Sequence, residues 1–150
     1  MKKPVVNYVD NKEFLSLLIK YKAERDECIK NNKPLPIIPN EIGHIIIQLA
    51  NRISTRFNFV NYTYRDEMVS DGILNAIEAV HKFKMEKSSN PFGYFGKIIW
   101  WAFARRITKE KRDHKMRDEI MFDINTEFYS SQEGQEYNVS SDETYLWYNQ

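Results

Sequence analysis

The stretch from Asn90 to Arg117, NPFGYFGKIIWWAFARRITKEKRDHKMR, constrains the fold of this chain more than any other. Its spacing predicts one long helix. Asn90 is a favourable N-cap, and Pro91 suits the first helical position, where a missing N–H has no intrahelical partner to lose. At about 100° per residue, Phe95, Ile99, Ala102 and Phe103 gather on one side. Tyr94, Lys97, Trp101, Arg105, Lys109 and Arg112 gather on roughly the opposite side. The first face must be buried against other elements, and the second interleaves cations with aromatics. Aromatic rings stack on unpaired bases and cations follow phosphates, so the second face suits nucleic acid, above all a single or splayed strand. The alternative from spacing alone is that both tryptophans are core and the cations only solvate the helix.

The remainder reads as partners for that helix. Asp10 or Asn11 can cap a first helix over 12–30, with Phe14, Leu17, Leu18, Tyr21 and Cys28 on one face. The segment NNKPLPIIP, 31–39, holds three prolines and is a linker, laid over the core through Ile37 and Ile38. Asn40 is placed to cap a second helix running to Phe57, with Ile42, Ile45, Ile46, Leu49, Ile53 and Phe57 as its stripe. Thr63 and Asp66 have capping-box-like spacing before a third helix that reaches Lys82. Val69, Ile73, Ala76, Ile77 and Val80 form its buried face, and Arg65, Asp66, Glu67, Asp71 and Glu78 its mostly acidic outer face. No period-2 alternation or Asn-Gly hairpin signal is present. The expectation is all-α: a compact domain of about four helices over 1–122, made of a first helix at 10–30, a linker at 31–39 and a core at 40–122.

Charge divides along the chain. From Asp118 onward there are eight acidic residues and no Lys or Arg, so Met1 to Arg117 carries 22 basic and 13 acidic residues. A basic body with an acidic tail points to a polyanionic partner for the body. The segment 125–142 is polar and acidic and cannot bury enough apolar surface to offset its ordering entropy, which predicts a disordered tail over 123–150. That tail ends in DETYLWYNQ, read either as a short partner-binding peptide or as an end that tucks back onto the domain.

Several function classes find no support. A lone Cys28 excludes an internal disulfide framework and a cysteine metal site, and His44, His81 and His114 stand in no metal-ligand spacing. No acidic cluster joins a His or Lys in a pattern for metal or acid–base work, so neither an enzyme nor a cofactor is expected. The apolar runs are too short to span a bilayer and no secretory signal is present, so the expected compartment is cytoplasmic.

From about Ile46 to Arg112 the chain resembles region 2 of bacterial sigma factors. The carrying segments are IQLANRISTRF, then EMVSDGILNAIEAVHKF over Glu67 to Phe83, then NPFGYFGKIIWWAFARRITKEKR. The NYVDNKE-like arm, the RFNF turn and the Asn-Pro helix start resemble the small late-transcription sigma factors of T-even-type bacteriophages. The resemblance implies a helical domain that docks on the clamp helices of the largest subunit of the host RNA polymerase core. The residues it assigns there are Asp66, Glu67, Ser70, Asp71, Asn75 and Glu78. It implies that the long helix opens an AT-rich −10-like late promoter element, through Phe92, Tyr94, Phe95, Lys97, Trp100, Trp101, Arg105, Arg106, Lys109 and Arg112. Tyr145, Leu146, Trp147 and Tyr148 are similar to the family's carboxyl-terminal peptide for a sliding clamp, and a phage coactivator is a further implied partner.

Two departures accompany the likeness. An ungapped alignment puts Ile98 and Ile99 where housekeeping sigma factors carry a tryptophan pair, and Trp100 and Trp101 come two residues later, about 200° round a helix. No helix-turn-helix follows to read a −35 element. The expectation is a minimal phage sigma factor in the host cytoplasm. A polymerase-binding regulator that does not itself read DNA, an anti-sigma factor or coactivator, is the alternative.

Overall fold

The computed structural model describes residues 10–136, with side chains through Ser131. All regular structure among these residues is helical: α1 (Asn11–Lys30), α2 (Asn40–Ser54), α3 (Arg65–Ala79), a single 3₁₀ turn (Val80–Lys82) and α4 (Pro91–Glu136). The chain divides into two compact units, one ending at Thr108 and the other beginning at Lys109.

Side-chain caps set where α1 and α4 begin. Asp10 Oδ1 accepts from the Lys12 N–H at 2.9 Å. Asn90 Oδ1 accepts from the Gly93 N–H at 3.0 Å, as its N-cap position requires. Asn11 is turned outward from its own helix, and its Oδ1 accepts from the Phe92 N–H at 3.2 Å. Two of the donors left open at the start of α4 are therefore met by side chains, and Pro91 presents none. At the other end of α1, the Lys33 N–H reaches the Cys28 carbonyl at 2.9 Å and the Asn32 N–H reaches Ile29 at 3.3 Å. Asn32 sits at φ 50°, completing a Schellman cap in which asparagine takes the left-handed position glycine usually holds. The helix thus stops at a local hydrogen-bonded cap before the first linker proline.

The core of the first unit joins all four helices. Phe14, Ile42, Ile46, Leu49, Met68, Phe95, Ile99 and Phe103 are fully buried. Phe14 and Phe95 hold ring centroids 5.2 Å apart, tying α1 to α4. Phe59, in the connection after α2, meets Trp100 at 4.7 Å and Phe103 at 5.1 Å, both edge-on. Helices α3 and α4 approach closely at Gly72, where an added Cβ would stand 2.5 Å from a ring carbon of Phe103 and 3.1 Å from Ile99. Only glycine leaves room for that ring, so this glycine sets the depth of packing.

Several sequence expectations need correction. Helix α2 ends at Ser54, and Phe57 is 88% exposed, while Phe59 takes the buried place. Ser54 helps to end the helix: its hydroxyl donates to Asn51 O at 2.7 Å and accepts from Arg65 Nη2 at 2.8 Å. Arg65 therefore points at this buried hydroxyl and does not belong to the outer acidic face. Neither Asn40 nor Thr63 caps a helix; Pro39 and Tyr64 occupy those positions without side-chain hydrogen bonds. Regular α3 ends at Ala79 and tightens into the 3₁₀ turn. Ile37 is exposed, and only Ile38 of the linker packs against the core.

The largest difference concerns the tail. Residues 123–136 continue α4, where the sequence predicts loss of order. No proline follows Pro91 and no glycine lies between Gly96 and Gly134, so nothing local breaks the helix. Thr126 and Ser130 add hydroxyl bonds at 2.8 Å to the carbonyls four residues before them. Residues 137–150, including Tyr145 to Tyr148, lie outside the described residues.

Candidate functional site

The outer surface of α3 and the adjoining surface of α4 carry most of the residues singled out by the sequence. Asp66, Glu67, Ser70 and Glu78 are exposed on α3. Ser70 spends its hydroxyl proton on the Asp66 carbonyl at 2.8 Å, so its oxygen remains an acceptor. Asp71 and Asn75 are half-buried and face α4. Arg106 forms a two-pronged pair with Asp71, Nε to Oδ2 at 2.6 Å and Nη2 to Oδ1 at 2.9 Å. Arg105 Nη2 donates to Asn75 Oδ1 at 2.9 Å, and Asn75 in turn donates to the Asp71 carbonyl at 2.7 Å. The two sets that the sequence separates, acidic α3 and cationic α4, are thus laced together by four side chains.

That lacing changes the chemistry available. The fork of Arg106 is matched to a carboxylate, with the arginine side chain 20% and the aspartate 34% exposed. Arg106 acts first as a strut between α3 and α4. Arg105 is exposed and reaches Asn75, a neutral acceptor, so its charge is not neutralised by that bond. Lys97 and Trp101 are also exposed, Trp101 by 54%. Lys97, Trp101 and Arg105 follow one another at four-residue spacing and so share one side of α4. This is a ring flanked by two cations, able to stack a planar group while its neighbours meet phosphates.

The aromatics divide between that surface and the core. Phe95 is a correction: it is fully buried against Phe14 and Phe83 and cannot touch nucleic acid in this fold. Tyr94 is half-buried and packs edge-on against Phe83 at 5.1 Å. Trp100 is half-buried on Phe59, whereas Trp101 is exposed, so the two tryptophans answer the two readings of the sequence separately. Ile98 and Ile99, at the aligned position of the tryptophan pair, belong to the core side. Lys109 and Arg112 fall in the second unit, both exposed, with Arg112 Nε 3.7 Å from the Asp113 carboxylate.

A cleft of about 400 Å³ was not foreseen in the sequence. Leu49, Ile53 and Phe92 form its apolar part, with Arg52, Arg56, Asn11 and Asn90 as its polar part. The signal was present in Arg52 and Arg56, but it becomes a cleft only because the N-termini of α1 and α4 meet beside the end of α2. Among the described residues no group of His, Cys, Asp and Glu could hold a metal ion, and no helix is long and apolar enough to cross a membrane.

No protein-family model matches the chain, and no curated protein matches it.

Proposed function

We propose that this chain is a minimal sigma-type factor of phage late transcription, working in the host cytoplasm. In this reading it binds the host RNA polymerase core through Asp66, Glu67 and Glu78 of α3. It holds the unpaired strand of an AT-rich −10-like element on Lys97, Trp101 and Arg105 of α4. It is a binding protein and not an enzyme. The observation that carries the reading is the joining of an acidic surface to an aromatic–cationic one through Asp71–Arg106 and Asn75–Arg105. Such a joint fixes the angle between a polymerase-docking helix and a strand-holding helix, so binding of one partner presents the site for the other. Carboxylates on basic clamp helices supply orientation and rate of encounter. Stacking on an exposed ring stabilises an unpaired base by roughly 1–3 kcal/mol, and AT-rich steps open at least cost. The sigma region 2 resemblance of Ile46 to Arg112 supports the same assignment. The carboxyl-terminal Tyr145 to Tyr148 peptide would tether the factor to a sliding clamp, raising its local concentration at the promoter.

A second reading is favoured by the engagement of Arg106 with Asp71, which removes one cation from the strand-holding set. In it the chain is a polymerase-binding regulator that uses α3 without reading DNA. Run-off transcription separates the two. The mixture holds bacterial core polymerase, this protein, and a template with one TATAAATA-like element and no −35 sequence. A sigma factor gives a discrete start, lost on double reversal Glu67→Lys with Glu78→Lys. Trp101→Ala would lower it roughly tenfold, the effect of losing one stacking platform. Polymerase binding without a transcript would leave the regulator, and neither would remove both readings.

A further inference from the structure

The distal part of α4 carries an apolar stripe. Met116, Ile120, Ile124 and Phe128 recur at four-residue spacing, with Met121 beside them, and each is 53–56% exposed. A helix with such a stripe is stabilised chiefly by burying it, since an isolated helix in water is marginal.

Charge on either side of the stripe identifies what it fits. From Lys109 to Arg117 there are five basic and two acidic residues, and from Asp118 to Ser131 there are four acidic and none basic. A basic half followed by an acidic half is complementary to itself when reversed. We infer that this segment pairs antiparallel with the same segment of a second copy of the chain. With the crossing at Phe122, Met116 lies opposite Phe128, Ile120 opposite Ile124, and Arg117 opposite Glu127, each pair occurring twice by the two-fold symmetry. A parallel pair would set Arg117 beside Arg117 and Glu127 beside Glu127, and repulsion disfavours it. The local ion pairs His114–Asp118 at 2.8 Å and Lys115–Glu119 at 3.8 Å run along the helix and involve neither Arg117 nor Glu127; Arg117 Nε donates to the neutral Asp113 carbonyl at 3.3 Å, which does not neutralise its charge. The inference stands apart from the transcription reading, because the stripe residues and the Arg117–Glu127 pair that test it are assigned to neither polymerase nor DNA.

Sedimentation velocity on the full chain at rising concentration tests it. The chain dimerises, and Ile124→Asp raises the dimer dissociation constant about a hundredfold, since the substitution strikes two apolar contacts per dimer. Arg117→Glu and Glu127→Lys each weaken the dimer about tenfold, and the double variant returns to within a few-fold of the parent. Within one chain these two side chains are too far apart to touch, so that rescue reads only contact between copies. A chain that stays monomeric at every concentration, a dimer indifferent to Ile124→Asp, or a double variant no better than the singles overturns the pairing.

Discussion

Helix α4 repeats one pattern in two settings. Phe95, Ile99 and Phe103 follow at four-residue intervals, as do Met116, Ile120, Ile124 and Phe128. The first three are fully buried, and the other four are each more than half exposed. The spacing names the side of the helix that seeks burial but says nothing of whether a surface exists to receive it. For the first series the receiving surface comes from Phe14, Ile53, Phe59, Met68 and Gly72, none of which is on α4. Among the described residues of its own unit no side chain covers the second series, which is the setting from which the pairing with a second copy is inferred.

The sharpest way to break this comparison is to shorten one ring from each series. Phe95→Ala should destabilise the first unit by about 3–5 kcal/mol in urea unfolding, through lost transfer energy and a cavity between α1 and α4. Phe128→Ala, on a residue 56% exposed, should change it by less than about 0.5 kcal/mol. Comparable losses would mean that the distal helix folds as part of the same core.

A smaller effect probes what lets the first series sink so deep. Gly72→Ala drives a methyl into the Phe103 ring, and overpacking of this kind costs about 1–3 kcal/mol. The cost should fall when Phe103→Leu is added, because the ring is the obstacle, and a double-mutant cycle on thermal unfolding measures that coupling. Additive behaviour would count against the close approach of α3 and α4.

The smallest of the three concerns the entry to α4. Asn90→Ala removes the bond to the Gly93 N–H and should cost about 1 kcal/mol. Amide exchange should quicken at Gly93 and leave the amides of 115–131 unchanged. A uniform rise along the helix would show that both parts of α4 open together.

Much of the fold was legible because it rests on local rules. The helical class, a cap for α1 at Asp10 or Asn11, the Asn90–Pro91 start and the buried face of Phe95, Ile99, Ala102 and Phe103 follow from spacing and capping chemistry. What failed to read through were competitions settled by distant residues. Phe57 and Phe59 offer equal apolar surface two positions apart, and the choice of Phe59 depends on Trp100 and Phe103. Arg65 looks like part of a charged face until Ser54, eleven residues earlier, supplies a buried acceptor. The candidate site divides in the same way. The acidic α3 and the cation–aromatic α4 could be listed from the sequence, but Asp71 and Arg106 had no reason in sequence to consume one another.

By itself the sequence determined the helical class, most of the helical faces up to Phe122 and the division of charge, because those follow from the period of the helix and from neighbours within one or two turns. Tertiary structure decided which of several equal side chains is buried and which charges are spent on each other. Those choices depend on surfaces that only packing brings together. Trp100 and Trp101 show both at once: adjacent and chemically alike, they part because Phe59 stands beside one and solvent beside the other.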